Sequence, residues 1–351
     1  MTIHREPFGS TPSGEPVERI TLDNDNGMKA HIITFGATLT HLFTPDRDGN
    51  PADIVWGFNS LDDYLAHNHE LYLGATIGRV ANRLGHASFM QDDKTYSLAQ
   101  NWGRHHLHGG TVGFNRVVWH AHAQETQAGP DVTLTYTSRD GEEGYPGNLE
   151  VTLRYSLSHD NVLRLDYHAT TDRATPVNLT HHSYFNLAGH SKADIRRHNV
   201  QIFAEQVLHT DDDLIPTGDM IDVEDTALDL RHQACLSDRL HSDDANIRRF
   251  DGFDHCYVLG GEGLKRAAIL SEESSGRRLE VVTDQPALQF YTGNSLTGTA
   301  GKQGIHYAKH TALCLETQHY PDAPNHPDFP SITLQPHERY SHTTLYKFST
   351  C

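Results

Sequence analysis

The sequence predicts an all-β fold, one large antiparallel domain over residues 1–351 built as a sandwich of packed sheets. Three observations carry that prediction. Apolar residues recur mainly with a period of two. Turn-forming clusters punctuate the chain throughout, and long helical patterns are scarce. A chain of 351 residues is long enough to bury the core that such a sandwich needs.

Taken in order, the elements argue as follows. The opening MTIHREPFGSTPSGEP has neither an apolar run nor a basic start, so no leader is expected. PDRDGNPAD at 45–53 reads as a turn, and SLDDYLAHN at 60–68, with its serine cap, reads as a short helix. VTLTYT at 132–137 alternates as a strand, and GEEGYPGN at 141–148 turns the chain. In LEVTLRYSLS, Leu149, Val151, Leu153, Tyr155 and Leu157 alternate with Glu150, Thr152, Arg154, Ser156 and Ser158. A turn at His159-Asp160-Asn161 leads into VLRLDYH, completing a hairpin. RRLEVVTD at 277–284 alternates in the same way, and YPDAPNHPDFP at 320–330 is a proline-rich loop.

With 46 acidic against 28 basic residues the formal charge is −18, which offers no footprint for nucleic acid or for an anionic membrane surface. Phosphorylated ligands are disfavoured for the same reason, and a neutral polar ligand is favoured. No apolar run is long enough to span a bilayer. The four scattered cysteines form neither a disulfide framework nor a zinc ribbon, so reduced thiols and a cytoplasmic location are expected. Histidine is abundant, 27 residues, and random placement of that many gives about two adjacent pairs. Two occur, at His105-His106 and His181-His182. Adjacency therefore carries no information, and only position within a pattern does.

Six stretches hold side chains suited to chemistry. Read as a strand, NLTHHSYFNLAG (178–189) puts Asn178, Thr180, His182, Tyr184 and Asn186 on one polar face, and Leu179, His181, Ser183, Phe185 and Leu187 on the other. His182 would then line a wet pocket while His181 packs inward; the plainer reading is a polar face open to solvent. TALCLETQHYPD places Glu316 in a run too apolar for an exposed strand, so both its faces are expected to be covered and the carboxylate needs a partner or a function. GRVANRLGHASF (78–89) crowds Arg79, Asn82 and Arg83 beside glycines, as hydroxyl recognition would require. RHHLHGG (104–110) gathers three histidines and raises a metal site as a further option. GFDHCYVL (252–259) and ALQFYTGN (287–294) contribute Asp254 and, on one face, Gln289 and Tyr291.

In this order the motifs GATIGRVANRL, LHGG, EGYPGNL, NLTHHSYFNLAG, DLIPTG, GFDHCYVL, LQFYTGN and CLETQHYPDAPNHPDFP resemble the aldose 1-epimerases, the galactose mutarotases. The resemblance implies a β-supersandwich with a sugar site on its concave face. It matches His182 to a catalytic acid and Glu316 to a catalytic base, and Asn82, Arg83, His108, Asp254 and Gln289 to groups that hold sugar hydroxyls. It implies a free aldohexose such as galactose or glucose as the substrate, no cofactor, no metal, no nucleic-acid or membrane partner, and a monomer or homodimer. His181 departs from the family pattern, which often has asparagine there.

Those residue types suit anomer exchange. O1–H must lose a proton while the ring oxygen gains one, giving the open-chain aldehyde, and rotation about C1–C2 followed by reclosure gives the other anomer. A carboxylate serves the first transfer and an imidazolium the second, and Asp254 and Glu316 are expected to keep the imidazole charged. Three rivals compete: a sugar-binding module without catalysis, a glycoside hydrolase using Asp254 and Glu316, and a hexose-phosphate epimerase relying on Arg79 and Arg83.

Overall fold

A computed structural model describes residues 1–192 and 194–351, and three antiparallel sheets hold most of its strand residues. The largest has nine strands in the spatial order His120–Thr126, Gly129–Ser138, Leu149–Leu157, Val162–Thr171, Tyr340–Thr350, Arg277–Thr283, Lys265–Glu272, His198–Ile202 and Ala234–Cys235. A six-stranded sheet runs Tyr184–Phe185, Leu313–Gln318, Ala287–Tyr291, Asp254–Leu259, Ala204–Thr210 and Pro216–Asp222. The third is a five-stranded meander of the first 53 residues. Leu153, Leu165 and Val281 of the first sheet, Leu288, Phe290 and Leu315 of the second, and Ile20, Leu22 and Ile32 of the third belong to one buried cluster. The sheets thus share a core, as sandwiched layers must.

Period-two patterning is what places the strands. Leu149–Leu157 alternates buried and open positions along its whole length, and it pairs with Val162–Thr171 through the expected turn, Leu157 standing opposite Leu163. The helix begins at the expected cap, where Ser60 accepts from the amide of Asp63, but it runs Leu61–Leu71, three residues beyond the stretch read from sequence. Tyr72 ends it in the left-handed region (φ 55°), its N–H returning to the Asn68 carbonyl. Two short helices, Leu236–Leu240 and Ala245–Phe250, were not anticipated. Among the described residues no helix is long and apolar enough to cross a membrane.

Residues 178–189 correct the reading as one continuous strand. Two residue pairs only are in strands: Thr180–His181 against Thr76–Ile77, and Tyr184–Phe185 against Leu313 and Cys314. Every residue from 178 to 187 is buried, so no solvent-exposed polar face exists here. Asn178, Thr180 and Asn186 instead satisfy backbone groups that such short strands leave unpaired. The amide of His319 donates to Asn178 Oδ1 at 2.9 Å, Thr180 Oγ1 donates to the Thr317 carbonyl at 2.8 Å, and Asn186 Nδ2 donates to the carbonyls of Lys192 and Thr311 at 2.7 and 2.9 Å. Alternation still separates the two histidines, with His182 turned towards a cavity and His181 turned inward.

Candidate active site

The middle of the six-stranded sheet forms the floor of a cavity of about 910 Å³. Register explains why. Cys314 and Glu316 alternate with Leu313, Leu315 and Thr317, so the apolar side enters the core and the Glu316 side faces the cavity; all six residues Leu313–Gln318 are buried, as the apolar run required. Gln289 stands directly opposite Glu316, and Tyr291 opposite Cys314, on the neighbouring strand. One strand further, Asp254 pairs with Tyr291. Three adjacent strands therefore supply Glu316, Gln289 and Asp254 to one surface.

The opposite wall comes from loops. Asn82 and His108 both lie in the left-handed region, at φ 63° and 51°, and their backbones approach each other: the His108 amide donates to the Asn82 carbonyl at 3.0 Å. Gly109 has to be glycine here, because a Cβ would lie 1.8 Å from the Gly78 carbonyl oxygen. Arg83 donates to Asn82 Oδ1 at 3.3 Å and to Asp254 Oδ2 at 3.4 Å, with its guanidinium 4.5 Å from the centre of the Trp102 ring. Gln289 Nε2 donates to Asp254 Oδ1 at 2.6 Å. His182 Nε2 is 3.7 Å from Glu316 Oε1. The His182 ring lies between Tyr184 and Tyr72, centroids 5.0 and 5.8 Å away and nearly parallel, with His108 edge-on at 5.2 Å.

All seven residues singled out from the sequence, Asn82, Arg83, His108, His182, Asp254, Gln289 and Glu316, line this cavity. Buried polar atoms lacking any protein partner include Glu316 Oε2, Gln289 Oε1 and Arg83 Nε, a pattern that suits a ligand rich in hydroxyls. Arg79 is different. It is sequestered, donating through Nη1 to the Pro146 and Gly147 carbonyls and through Nη2 to the Ser138 carbonyl and hydroxyl, so it ties loops together and does not reach a ligand. The expectation that Arg79 recognises hydroxyls is thereby corrected, and of the expected pair Arg79 and Arg83 only Arg83 lines the cavity, which Arg116 joins from another loop.

RHHLHGG does not form a metal centre either, because its histidines disperse: His105 to Asp213, His106 to the Ala99 carbonyl and the Tyr145 hydroxyl, and His108 to the cavity. A different trio, His108, His182 and Glu316, has ligand atoms within 4.8 Å of one another. The hydrogen bonds around it are wrong for a metal. His108 Nδ1 accepts from the Asn82 amide at 3.1 Å, so the neutral ring carries its proton on Nε2, the nitrogen a metal would need free. His108 is instead left with its Nε2–H donor at the cavity wall.

The profile of the aldose 1-epimerase family matches residues 18–347. The chain belongs to the aldose 1-epimerase family. It is 45% identical to the galactose mutarotase of Homo sapiens over 351 residues, 99% of each chain, and 37% identical to the aldose 1-epimerase of Escherichia coli (strain K12) over 341 residues, 96% of each. The crystal structure of galactose 1-epimerase from Lactobacillus acidophilus NCFM superposes with a TM-score of 0.88 at 31% identity, covering 99% of both chains. The all-β expectation holds, and the fold is that of the galactose mutarotases.

The electrostatics of this aldose 1-epimerase site differ from expectation in one respect. Burial pushes the His182 imidazole down to about 4, although a hydrogen bond to its own backbone and, less strongly, the Asp254 charge pull upward. Burial, reinforced by the Asp254 charge, holds the Glu316 carboxyl well above the usual carboxylate range. Both shifts run against the expected imidazolium–carboxylate pair, because desolvation favours the neutral form of each group and outweighs the Asp254 charge at His182. Burial also pushes His108 well below its usual value, keeping it neutral.

Sequence reasoning missed Tyr72 and Trp102, and saw Tyr184 only as one member of a polar row. Trp102, an aromatic in the polar loop NWGR, was a readable signal, since such rings cover the C–H faces of sugars. Tyr72 carried none: its place depends on where the helix stops.

Proposed function

We propose that Glu316 and His182 are the proton-transfer pair with which this aldose 1-epimerase interconverts the α and β anomers of free aldohexoses. The observation that carries the reading is the buried pair itself, 3.7 Å apart at the cavity floor, with Glu316 Oε2 free of protein partners. Asn82, Arg83, His108, Asp254 and Gln289 are assigned to the sugar hydroxyls. Asp254, clamped by Arg83 and Gln289, is held as a fixed acceptor, which argues against its serving as the second carboxylate of a hydrolase.

The pair holds one proton, and anomerisation uses it in both arrangements. With the proton on His182, Glu316 takes the O1 proton while His182 Nε2–H protonates the ring oxygen, and the C1–O5 bond breaks as the C1=O1 double bond forms. This leaves Glu316 protonated and His182 neutral, the arrangement that burial of the pair favours. That state complements the open-chain aldehyde, and after rotation about C1–C2 the same two groups return the protons in reverse. Ring oxygen and O1 bound between them must therefore draw the proton across to His182, which hydrogen bonds from the sugar to the carboxylate favour.

Following optical rotation after dissolving α-galactose or α-glucose tests the reading. Wild-type protein should reach equilibrium far faster than buffer, and Glu316→Gln should remove the acceleration; undiminished activity in Glu316→Gln would overturn it. We also place the enzyme in the cytoplasm, a reading supported by its four unpaired cysteines.

A further inference from the structure

We propose that Cys314 is a positioning residue for anomerisation, holding the His182 ring through Nδ1 so that Nε2 alone faces Glu316 and the sugar. The proposal rests on the acid-base reading of His182 given above. Its basis is the arrangement of one strand. Cys314 and Glu316 are two residues apart and therefore on the same face, and the imidazole spans the gap between them. Cys314 Sγ lies 3.5 Å from Nδ1 on one side, and Glu316 Oε1 lies 3.7 Å from Nε2 on the other. Among the described residues Cys314 Sγ is the one side-chain partner at Nδ1, beside the backbone of His182 itself. Tyr72 and Tyr184 lie nearly parallel to the ring, and such stacking accepts both χ2 flip states, which exchange Nδ1 with Cδ2 and Nε2 with Cε1 in almost the same plane. In-plane contacts distinguish the two states, and Cys314 supplies the one at Nδ1 as Glu316 does at Nε2.

The choice of sulfur has a chemical consequence. Once His182 has given its Nε2 proton to the ring oxygen, the neutral ring must keep its remaining proton on Nδ1, and that N–H needs an acceptor in a buried site. A carboxylate or carbonyl there, the usual partners of histidine, would stabilise the imidazolium and weaken it as an acid. A thiol accepts weakly, so it fixes the orientation and leaves Nε2–H acidic. Burial pushes the Cys314 thiol well above its usual range, so it stays S–H and adds no charge of its own. The other titratable groups around the ring are Glu316, His108, Tyr72 and Tyr184, with Asp254 beyond them.

Mutarotation of α-galactose from pH 4 to 9 by wild type, Cys314→Ala, Cys314→Ser and His182→Asn tests the proposal, alongside nitrogen NMR of 15N-histidine-labelled protein with His182 located by difference. Cys314→Ala should lower kcat about fivefold to tenfold, the loss expected for one net hydrogen bond, with KM for galactose changed less than twofold and the His182 tautomers mixed. Cys314→Ser, whose hydroxyl still accepts from Nδ1, should recover most of kcat and move the acid limb of the profile upward, because oxygen accepts more strongly than sulfur. A folded Cys314→Ala with wild-type kcat, tautomer and pH profile overturns the proposal. If the alanine variant does not fold, the serine variant decides, and an unmoved acid limb overturns it. Retention of activity by His182→Asn would instead remove the acid assignment on which the proposal stands.

Discussion

Acidification from pH 7 to 5 should strip most of the stability from this protein, and buried histidines set the size of the effect. His181, His182, His198, His255 and His342 are all nearly inaccessible. Burial pushes His181 to about 3 and each of the other four to about 4, from the ordinary 6.5. A depressed imidazole pKa means that the unfolded chain binds more protons than the folded one. The stability is therefore complete above pH 6.5 and is lost as pH falls towards 4. At pH 5 each such histidine has taken away about 2 kcal/mol, and the five together about 10 kcal/mol, comparable to the whole stability of an ordinary domain. Glu316 and Asp322, whose carboxyls burial holds above their usual values, act in the opposite sense, two groups against five. Urea unfolding followed by far-ultraviolet circular dichroism at pH 7.5, 6.5, 5.5 and 5.0 should show a steep fall in midpoint below pH 6.5. A midpoint constant from pH 7.5 to 5.0 would refute the argument, since it would mean that these imidazoles are either hydrated or already charged in the native state.

Three further outcomes follow from the site. The one-proton pair gives kcat/KM a broad plateau in stopped-flow polarimetry, falling on the acid side only near pH 4 where His182 takes a second proton; a midpoint at 6 to 7 would contradict the burial argument. Asp254→Asn removes the charge that Arg83 and Gln289 hold; KM for galactose should rise about tenfold or more, as for the loss of a charge-assisted hydrogen bond, while the fold is retained. His181→Asn breaks the 2.7 Å contact to the Tyr155 hydroxyl and the 2.9 Å contact from Ser183; it should cost about 1–2 kcal/mol in urea unfolding and leave kcat within threefold, whereas a large loss of kcat would mean that the two neighbouring histidines have been assigned the wrong way round.

Much of this was legible in the sequence because the relevant physics is local. An apolar run marked Glu316 as a covered carboxylate, and alternation put Gln289 with Tyr291 on one face and separated His182 from His181 even though their segment is broken into two-residue strands. What alternation could not supply was the destination of polar side chains whose partners lie far along the chain. Asn178 and Thr180 looked like site residues, yet they pair with His319 and the Thr317 carbonyl, about 140 residues away. Arg79 was misplaced for the same reason, since the carbonyls it binds belong to a loop 59–68 residues downstream. The protonation state was illegible for a different reason. Opposite charges near His182 can be counted in a sequence, but the desolvation that outweighs them depends on how completely Tyr72, Tyr184 and His108 enclose the ring.

The account stands or falls on where a bound sugar lies relative to the pair. A crystal structure of the enzyme with galactose tests this most directly. It should place Glu316 about 3 Å from O1 and His182 Nε2 about 3 Å from the ring oxygen, with Asp254 and Arg83 on hydroxyls remote from C1. Galactose bound in reverse, with O1 and the ring oxygen out of reach of both groups, would contradict the proton-transfer role assigned to Glu316 and His182.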